Sequence, residues 1–372
     1  MQAHTHRITT SGSSVAIELK SFHFGSAGAG KKVYIQAGLH ADEVPGMLVC
    51  QFLRRRLTQL EGTGLLRGEV VLVPAANPIG LAQSLHGMPM GRFDLSTGVN
   101  FNRACRHVAA QLKQSLAGQL GADAAANAAL VRRHASAAIA RWQVVNDAEA
   151  LKRQLLMLAI DADIVLDLHC DNEAVMHVYT GTPLTAACLP LAALLGAHAL
   201  LVTREAGGEP FDEACSRLWW DLAEHAGPDR PLGPGCMAAT VELRGERDVG
   251  YALAESDGEA LLRYLALAGV VDMPVGEIPA ALCTATPLEA VAPIAAPHAG
   301  LVVFHKQLGD MVAADEVVAD LVDPANGSTT ALRAGVDGVL FGRTAYRHLA
   351  RGMNVCKIAG RDAFRAGSLL SL

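Results

Sequence analysis

The chain has 372 residues, 51% of them hydrophobic and 18% charged, enough apolar material for a large core and too much for a disordered chain. Its net charge of −6 argues against a general nucleic-acid or anionic-membrane surface, while leaving room for a local basic pocket. The polar stretch 1–22 lacks the apolar centre of a targeting signal, and no run is long and apolar enough to span a bilayer. Eight cysteines, without C-x-x-C spacing and mostly in apolar surroundings, read as buried reduced thiols, and hence as a cytoplasmic protein.

In chain order, residues 1–30 predict an edge strand at 14–20 and a Gly-rich turn, with His4 and His6 mobile near the terminus. An apolar run at 33–37 predicts a buried strand, and the amphipathic run 44–60 a helix, whose Arg54-Arg55-Arg56 reads as a solvated face. A second buried strand at 69–74 ends in Asn77-Pro78, a turn signal. Residues 79–103 lack periodicity and carry Gly87, Pro89, Gly91 and Gly98, a long loop of the kind that tends to be functional. The Ala-rich segment 104–160 predicts two or three helices, broken near Gly121, with nothing in them that suggests chemistry. Strands follow at 164–169, 175–180, 198–203 and 239–243, and helices at 184–196, 211–226 and 253–270. Strands alternating with helices predict an α/β layer fold with a mostly parallel sheet.

Near residue 275 the helical patterning stops. Residues 286–372 are short β-like runs with a weak internal repeat: 300–304 and 308–312 are echoed by 338–342 and 349–355. This duplication resembles the barrel-sandwich hybrid of lipoyl and biotinyl carriers. The joining segment 323–330 carries no lysine, however, and none occurs between Lys306 and Lys357. A carrier role fails on its essential residue, leaving a structural or lid role. The expected division is 1–285 for a catalytic domain and 286–372 for a C-terminal β-domain.

The stretch 38–46, G-L-H-A-D-E-V-P-G, sits where the strand at 33–37 turns into a helix. H-x-x-E places His40 and Glu43 within one turn of each other, close enough to hold one metal ion, and ligand sites in open α/β sheets lie at the carboxyl ends of strands. His169 ends another strand and is the best third candidate; His, Glu and His with an open fourth position is a catalytic zinc arrangement. H-x-x-E alone is weak evidence, and a solvated loop pair is the more ordinary reading of it. Two candidates at strand ends, with Glu242 on a third strand, favour the metal. His177, inside an apolar strand, reads as a satisfied core residue; His86 is a marginal candidate to line the site, and Cys170 a small buried hydrophobe.

Hydrolysis at such a site needs a base, and Glu242 can serve if its strand lies beside the metal; otherwise it reads as the ion-pair partner of Arg244 or Arg247. A developing oxyanion wants a cation, and Arg92 in the long loop is a candidate. The loop ends in N-x-N-R, where Asn102 and Arg103 can offer an amide and a bidentate guanidinium to a carboxylate.

The order G-x-H-x-x-E-x-x-G, N-P, N-x-N-R, D-L-H and T-x-E-L resembles the succinylglutamate desuccinylase/aspartoacylase family, over roughly the whole chain. The resemblance implies a zinc-carboxypeptidase-like fold with a C-terminal β-domain. It implies one zinc per chain on His40, Glu43 and His169, Glu242 as general base, Asn102 and Arg103 on the substrate carboxylate, and Arg92 as the oxyanion arginine. The family often has Asp where this chain has Asn100, which puts in doubt the part that this position plays behind the ligands. It often has an F-P-G-like run after N-R, where this chain has Ala104-Cys105-Arg106 and then the Ala-rich insertion, with consequences for the pocket or for a homo-oligomer contact. The expected activity is removal of the acyl group from a small N-acylated amino acid or related carboxylate, with no nucleic acid or membrane partner. A carboxypeptidase acting on short peptides and a non-catalytic metal- or ligand-binding protein are the alternatives.

Overall fold

The structure, a computed structural model, describes residues 1–9, 14–367 and 369. The ends of the expected C-terminal β-domain at 368 and 370–372 lie outside them. Among the described residues a nine-stranded sheet runs in the order Gln2–Arg7, Glu18–Phe24, Glu69–Val73, Lys32–Ala37, Ile164–Asp171, Met237–Gly245, His177–Gly181, Ala199–Thr203 and Ala285–Pro287. The four strands from Glu69–Val73 to Met237–Gly245 are mutually parallel; His177–Gly181 turns antiparallel, and the two strands beyond it are parallel to it. The sheet is thus mixed and mostly parallel, as the alternation of elements predicts.

Both faces are covered, which is why the central strands are apolar throughout rather than alternating. Helices Pro45–Gly62, Thr185–Leu195 and Tyr251–Leu267 pack on one face, where Val33, Ile35, Leu166 and Val241 are buried. The Ala-rich segment forms three helices, Ala109–Ser115, Ala124–Ala140 and Asp147–Ala159; with Phe211–Ala226 they cover the other face, burying Tyr34, Val71 and Val165. Asp123 and Asn146 cap the second and third of these through their side-chain oxygens. The first helix opens with Pro45, whose missing N–H costs nothing at that position. Gly46 follows because a Cβ there would meet that of Leu168 at 2.9 Å, so the helix can approach the central strand only without a side chain.

Two expectations for the N-terminal region need correction. The expected edge strand at 14–20 is a hairpin, Gln2–Arg7 paired with Glu18–Phe24. His4 and His6 stand in its first strand, where His6 Nε2 lies 2.8 Å from Ser21 Oγ. At the opposite edge, the 285/286 boundary expected from composition falls inside the strand Ala285–Pro287, which pairs with Ala199–Thr203.

Beyond it, two small sheets carry the internal repeat. Met311–Val312 pairs with Gly338–Arg343, and Gly300–Phe304 with His348–Leu349. Each half of the repeat therefore lends a strand to the other. The same segment is sewn to the large sheet: Glu173–Ala174 pairs with Gly338–Arg343, Lys357 Nζ lies 2.5 Å from Asp171, and Arg343 and Arg347 both reach Glu173 at 2.7 Å.

His177 is fully buried. Its Nδ1–H donates to the Val175 carbonyl at 2.8 Å, but its Nε2 has no partner, so the ring is only half satisfied. Burial pushes its pKa from 6.5 down to about 4. Between those values the unfolded chain binds a proton that the native ring refuses, so stability is lost as pH falls from 6.5 towards 4, by up to about 3 kcal/mol from this group. Urea unfolding between pH 7.5 and 4 should show that loss, and His177→Gln, which can donate to the same carbonyl without titrating, should flatten it.

Candidate metal centre and cavity

The G-x-H-x-x-E-x-x-G stretch leaves the strand Lys32–Ala37 through Gly38, whose φ of 70° is open to glycine at little cost. The turn is pinned from two sides. Asn77 Nδ2 donates to the Leu39 carbonyl at 2.8 Å while its Oδ1 accepts from Gly80 N, and Ala41 N donates to the Gly91 carbonyl at 3.0 Å. Asn77-Pro78 therefore holds the turn that carries His40 rather than merely ending a strand.

His40, Glu43 and His169 converge, with one candidate ligand atom from each within 4.8 Å of the others, all buried. The Glu43 carboxylate bridges the imidazoles: Oε1 lies 2.8 Å from His40 Nδ1 and Oε2 2.7 Å from His169 Nδ1. The far nitrogens are held as well. His40 Nε2 lies 2.8 Å from Asn100 Oδ1, and His169 Nε2 3.0 Å from Asp167, an electrostatic contact rather than an aligned hydrogen bond. Two Nδ1 atoms and a carboxylate facing one point, with both Nε2 atoms oriented from behind, is a donor set that fits a divalent metal. Burial alone would raise the Glu43 carboxyl, but the two histidines hold it well below the usual range. Burial lowers His40, whereas Asp167 and Glu43 outweigh it at His169 and lift that imidazole well above its ordinary value.

Glu242 pairs in register with His169 across parallel strands, so both side chains leave the sheet on the same face. Just beyond it the strand bulges, with Arg244 at a φ of 67°. Arg244 pairs with Asp257, and no ion pair joins Glu242 to Arg244 or Arg247 among the described residues. The Oε2 of Glu242 is sealed without a hydrogen-bond partner, and burial, with the charge of Glu43, pushes its pKa up to about 8. A cation on the three ligands would draw it down again.

Arg92 Nη1 lies 3.2 Å from Glu43 Oε1 and 3.3 Å from His40 Nδ1, so its charge faces the ligand cluster. Asn102 accepts from the Phe211 backbone N–H at 2.8 Å, and Arg103 donates to the Asn102 carbonyl at 2.7 Å. All seven residues singled out in the sequence border one cavity of about 390 Å³, a size suited to a small molecule. Its lining also includes Arg343, Thr344, Tyr346 and the stretch 354–357. Cys170 also borders it, its backbone N–H donating to Glu43 at 3.1 Å; His86 stands at the exposed tip of a hairpin outside it.

Two residues were missed. Asp167 was legible in D-L-H, since positions i and i+2 of a strand share a face. Lys152 contradicts the expectation that the Ala-rich helices carry nothing for the site. Its buried ammonium donates to the carbonyls of Arg103 at 2.6 Å and Asn100 at 3.2 Å, fixing the loop that carries both residues.

The catalytic-domain model of the succinylglutamate desuccinylase/aspartoacylase family matches residues 29–147. The chain is similar to that family. A family protein of Shewanella amazonensis has the same fold with a TM-score of 0.82 at 29% identity, over 96% of this chain and 98% of that one. One from Shewanella frigidimarina gives 0.83 at 26%, over 96% and 97%. One from Rhodobacter sphaeroides, at 18% identity and a TM-score of 0.67 over 96% and 94%, shares the fold. No curated protein matches. No helix among the described residues is long and apolar enough to cross a membrane.

Because His169 binds its proton tightly, a metal must displace it, and metal affinity should rise with pH. Chelator competition at pH 6, 7 and 8 should show the slope. Asp167→Asn removes the charge that stabilises the imidazolium and should make the slope shallower, while weakening metal binding overall by roughly 10–100-fold.

Proposed function

We propose that this protein is a zinc-dependent hydrolase that cleaves the amide bond of a small N-acylated amino acid or related N-acyl carboxylate. His40, Glu43 and His169 hold the zinc. Zinc bound there supplies a Lewis acid and brings the pKa of a coordinated water down to near neutrality. Glu242 accepts the proton of the attacking water and passes it to the departing nitrogen, which leaves as the free amine. Arg92 offsets the charge that develops on the amide oxygen. Arg103, steadied by the loop contacts of Asn102 and Lys152, binds the substrate carboxylate through its planar fork.

The observation that carries this reading is the placement of Glu242. It is register-paired with His169, has no ion pair among the described residues, and borders the same cavity as the three candidate ligands. A metal-binding protein without catalysis has no use for an unpaired buried carboxylate there. Residues 286–372 act as a lid that limits substrate size. The residues of that segment in the cavity wall support this, and they disfavour a peptidase that must admit a long chain. A cytoplasmic location fits the eight free cysteines.

Glu242→Gln keeps the shape but cannot accept a proton. It should lower kcat by about 10²–10⁴-fold while zinc content and melting temperature stay near those of the parent. A near-normal rate in the zinc-loaded variant would overturn the mechanism. Arg103→Lys keeps the charge and loses the fork, so it should raise KM for free-acid substrates by about tenfold and change their amides much less.

A further inference from the structure

The helix Phe211–Ala226 lends the cavity Asp212, Ser216 and Trp220, at i, i+4 and i+8 on one helix face. The helix begins with two acids, and they are treated differently. Glu213 is satisfied: it accepts from the Ala206 N–H at 2.9 Å and from Arg217 at 3.1 Å. Asp212 is 9% exposed and borders the cavity, yet its carboxylate has no side-chain hydrogen bond and no ion pair among the described residues. Neither of its oxygens is sealed off. The helix N-terminus favours an acid there, but only weakly. Burial, then the charges of Glu213 and Asp167, push its pKa up to about 7, outweighing a hydrogen bond from the Glu213 backbone N–H and the charge of His169. A buried carboxylate without an ion pair or a side-chain hydrogen bond is costly, and at a cavity wall a ligand can supply the direct partner.

Resting on the hydrolase reading above, we infer that Asp212 is a specificity residue that binds an ammonium group of the substrate. Arg103, whose guanidinium feels the charge of Asp212, receives the carboxylate. The substrate class is then an N-acylated diamino acid. It presents a free carboxylate and a free ammonium to opposite charges in one cavity, with the acyl group on its other nitrogen. Water adds its oxygen to the acyl carbon, the C–N bond breaks, and the amine leaves with the proton, giving the carboxylic acid and the free diamino acid.

The test uses the zinc-loaded full chain and two matched pairs. Each pair sets a substrate with the ammonium against the same molecule without it: Nα-acetyl-L-ornithine against Nα-acetyl-L-norvaline, and Nδ-acetyl-L-ornithine against 5-acetamidopentanoate. In at least one pair kcat/KM should favour the ammonium compound by about tenfold or more, the scale of one charge-assisted contact. Asp212→Asn should bring that ratio to within about threefold of unity. Calorimetric binding of L-ornithine, which needs no turnover, should weaken by a similar factor in the variant. Ratios near unity in both wild-type pairs overturn the subsite, as does a preference that survives Asp212→Asn. If none of the four compounds is hydrolysed but L-ornithine binds through Asp212, the hydrolase reading falls and the subsite stands. Hydrolysis of the neutral compounds without preference gives the reverse, and neither hydrolysis nor binding overturns both. Should Asp212→Asn fail to fold, the wild-type ratios and the binding of L-ornithine against L-norvaline decide.

Discussion

The centre of this molecule depends on the two oxygens of Glu43, each within 2.8 Å of a different imidazole. A single carboxylate can face both only if the turn after one strand and the end of its neighbour arrive side by side. That is a matter of register. The strands Lys32–Ala37 and Ile164–Asp171 pair Ala37 with Leu168, so His169 emerges beside the turn that carries His40. The next strand pairs Glu242 with His169. A slip of one residue on either side would turn these side chains to the opposite face of the sheet. The apolar residues buried on both faces fix the register, so the core positions the chemistry.

Around that centre, loops are held by buried polar side chains rather than by regular structure. Asn77 holds the turn that carries His40, Asn100 joins the long loop to His40, and Lys152 clamps the same loop through its backbone carbonyls. Each satisfies backbone or ring groups that would otherwise be buried without partners. Asn100 also accepts from the Asn102 N–H at 2.9 Å, so the orientation of His40 and the position of the Asn102-Arg103 pair are linked through one amide.

Much of this was legible in the sequence, for a definable reason. H-x-x-E follows a strand, D-L-H and the glutamate of T-V-E-L lie within strands, and strand periodicity fixes where such side chains point. Lys152 was illegible because its partners are backbone carbonyls 49 and 52 residues away, which leave no trace in side-chain pattern. Asp212 was illegible for another reason: an acid in a first helical turn is ordinary, and only burial beside a cavity sets it apart. The strand Gln2–Arg7 is exposed along almost its whole length, so it has no apolar alternation to detect. Ala285–Pro287 is a three-residue edge carrying a proline, too short to show a period.

The contacts that join the C-terminal segment to the large sheet also bear on the order of assembly. Lys357 meets Asp171 across 186 residues of chain, and Arg347 meets Glu173 across 174. The three candidate ligands and Glu242 are all synthesised before residue 243, whereas part of the cavity wall is drawn from 343–357. During synthesis at about 5–20 residues per second, several seconds separate the two parts of the cavity wall. The exchanged strands lengthen that interval, because neither half of the repeat can complete its sheets until the other has emerged. On that order of synthesis the His40, Glu43 and His169 side chains exist before the cavity that borders them can be complete.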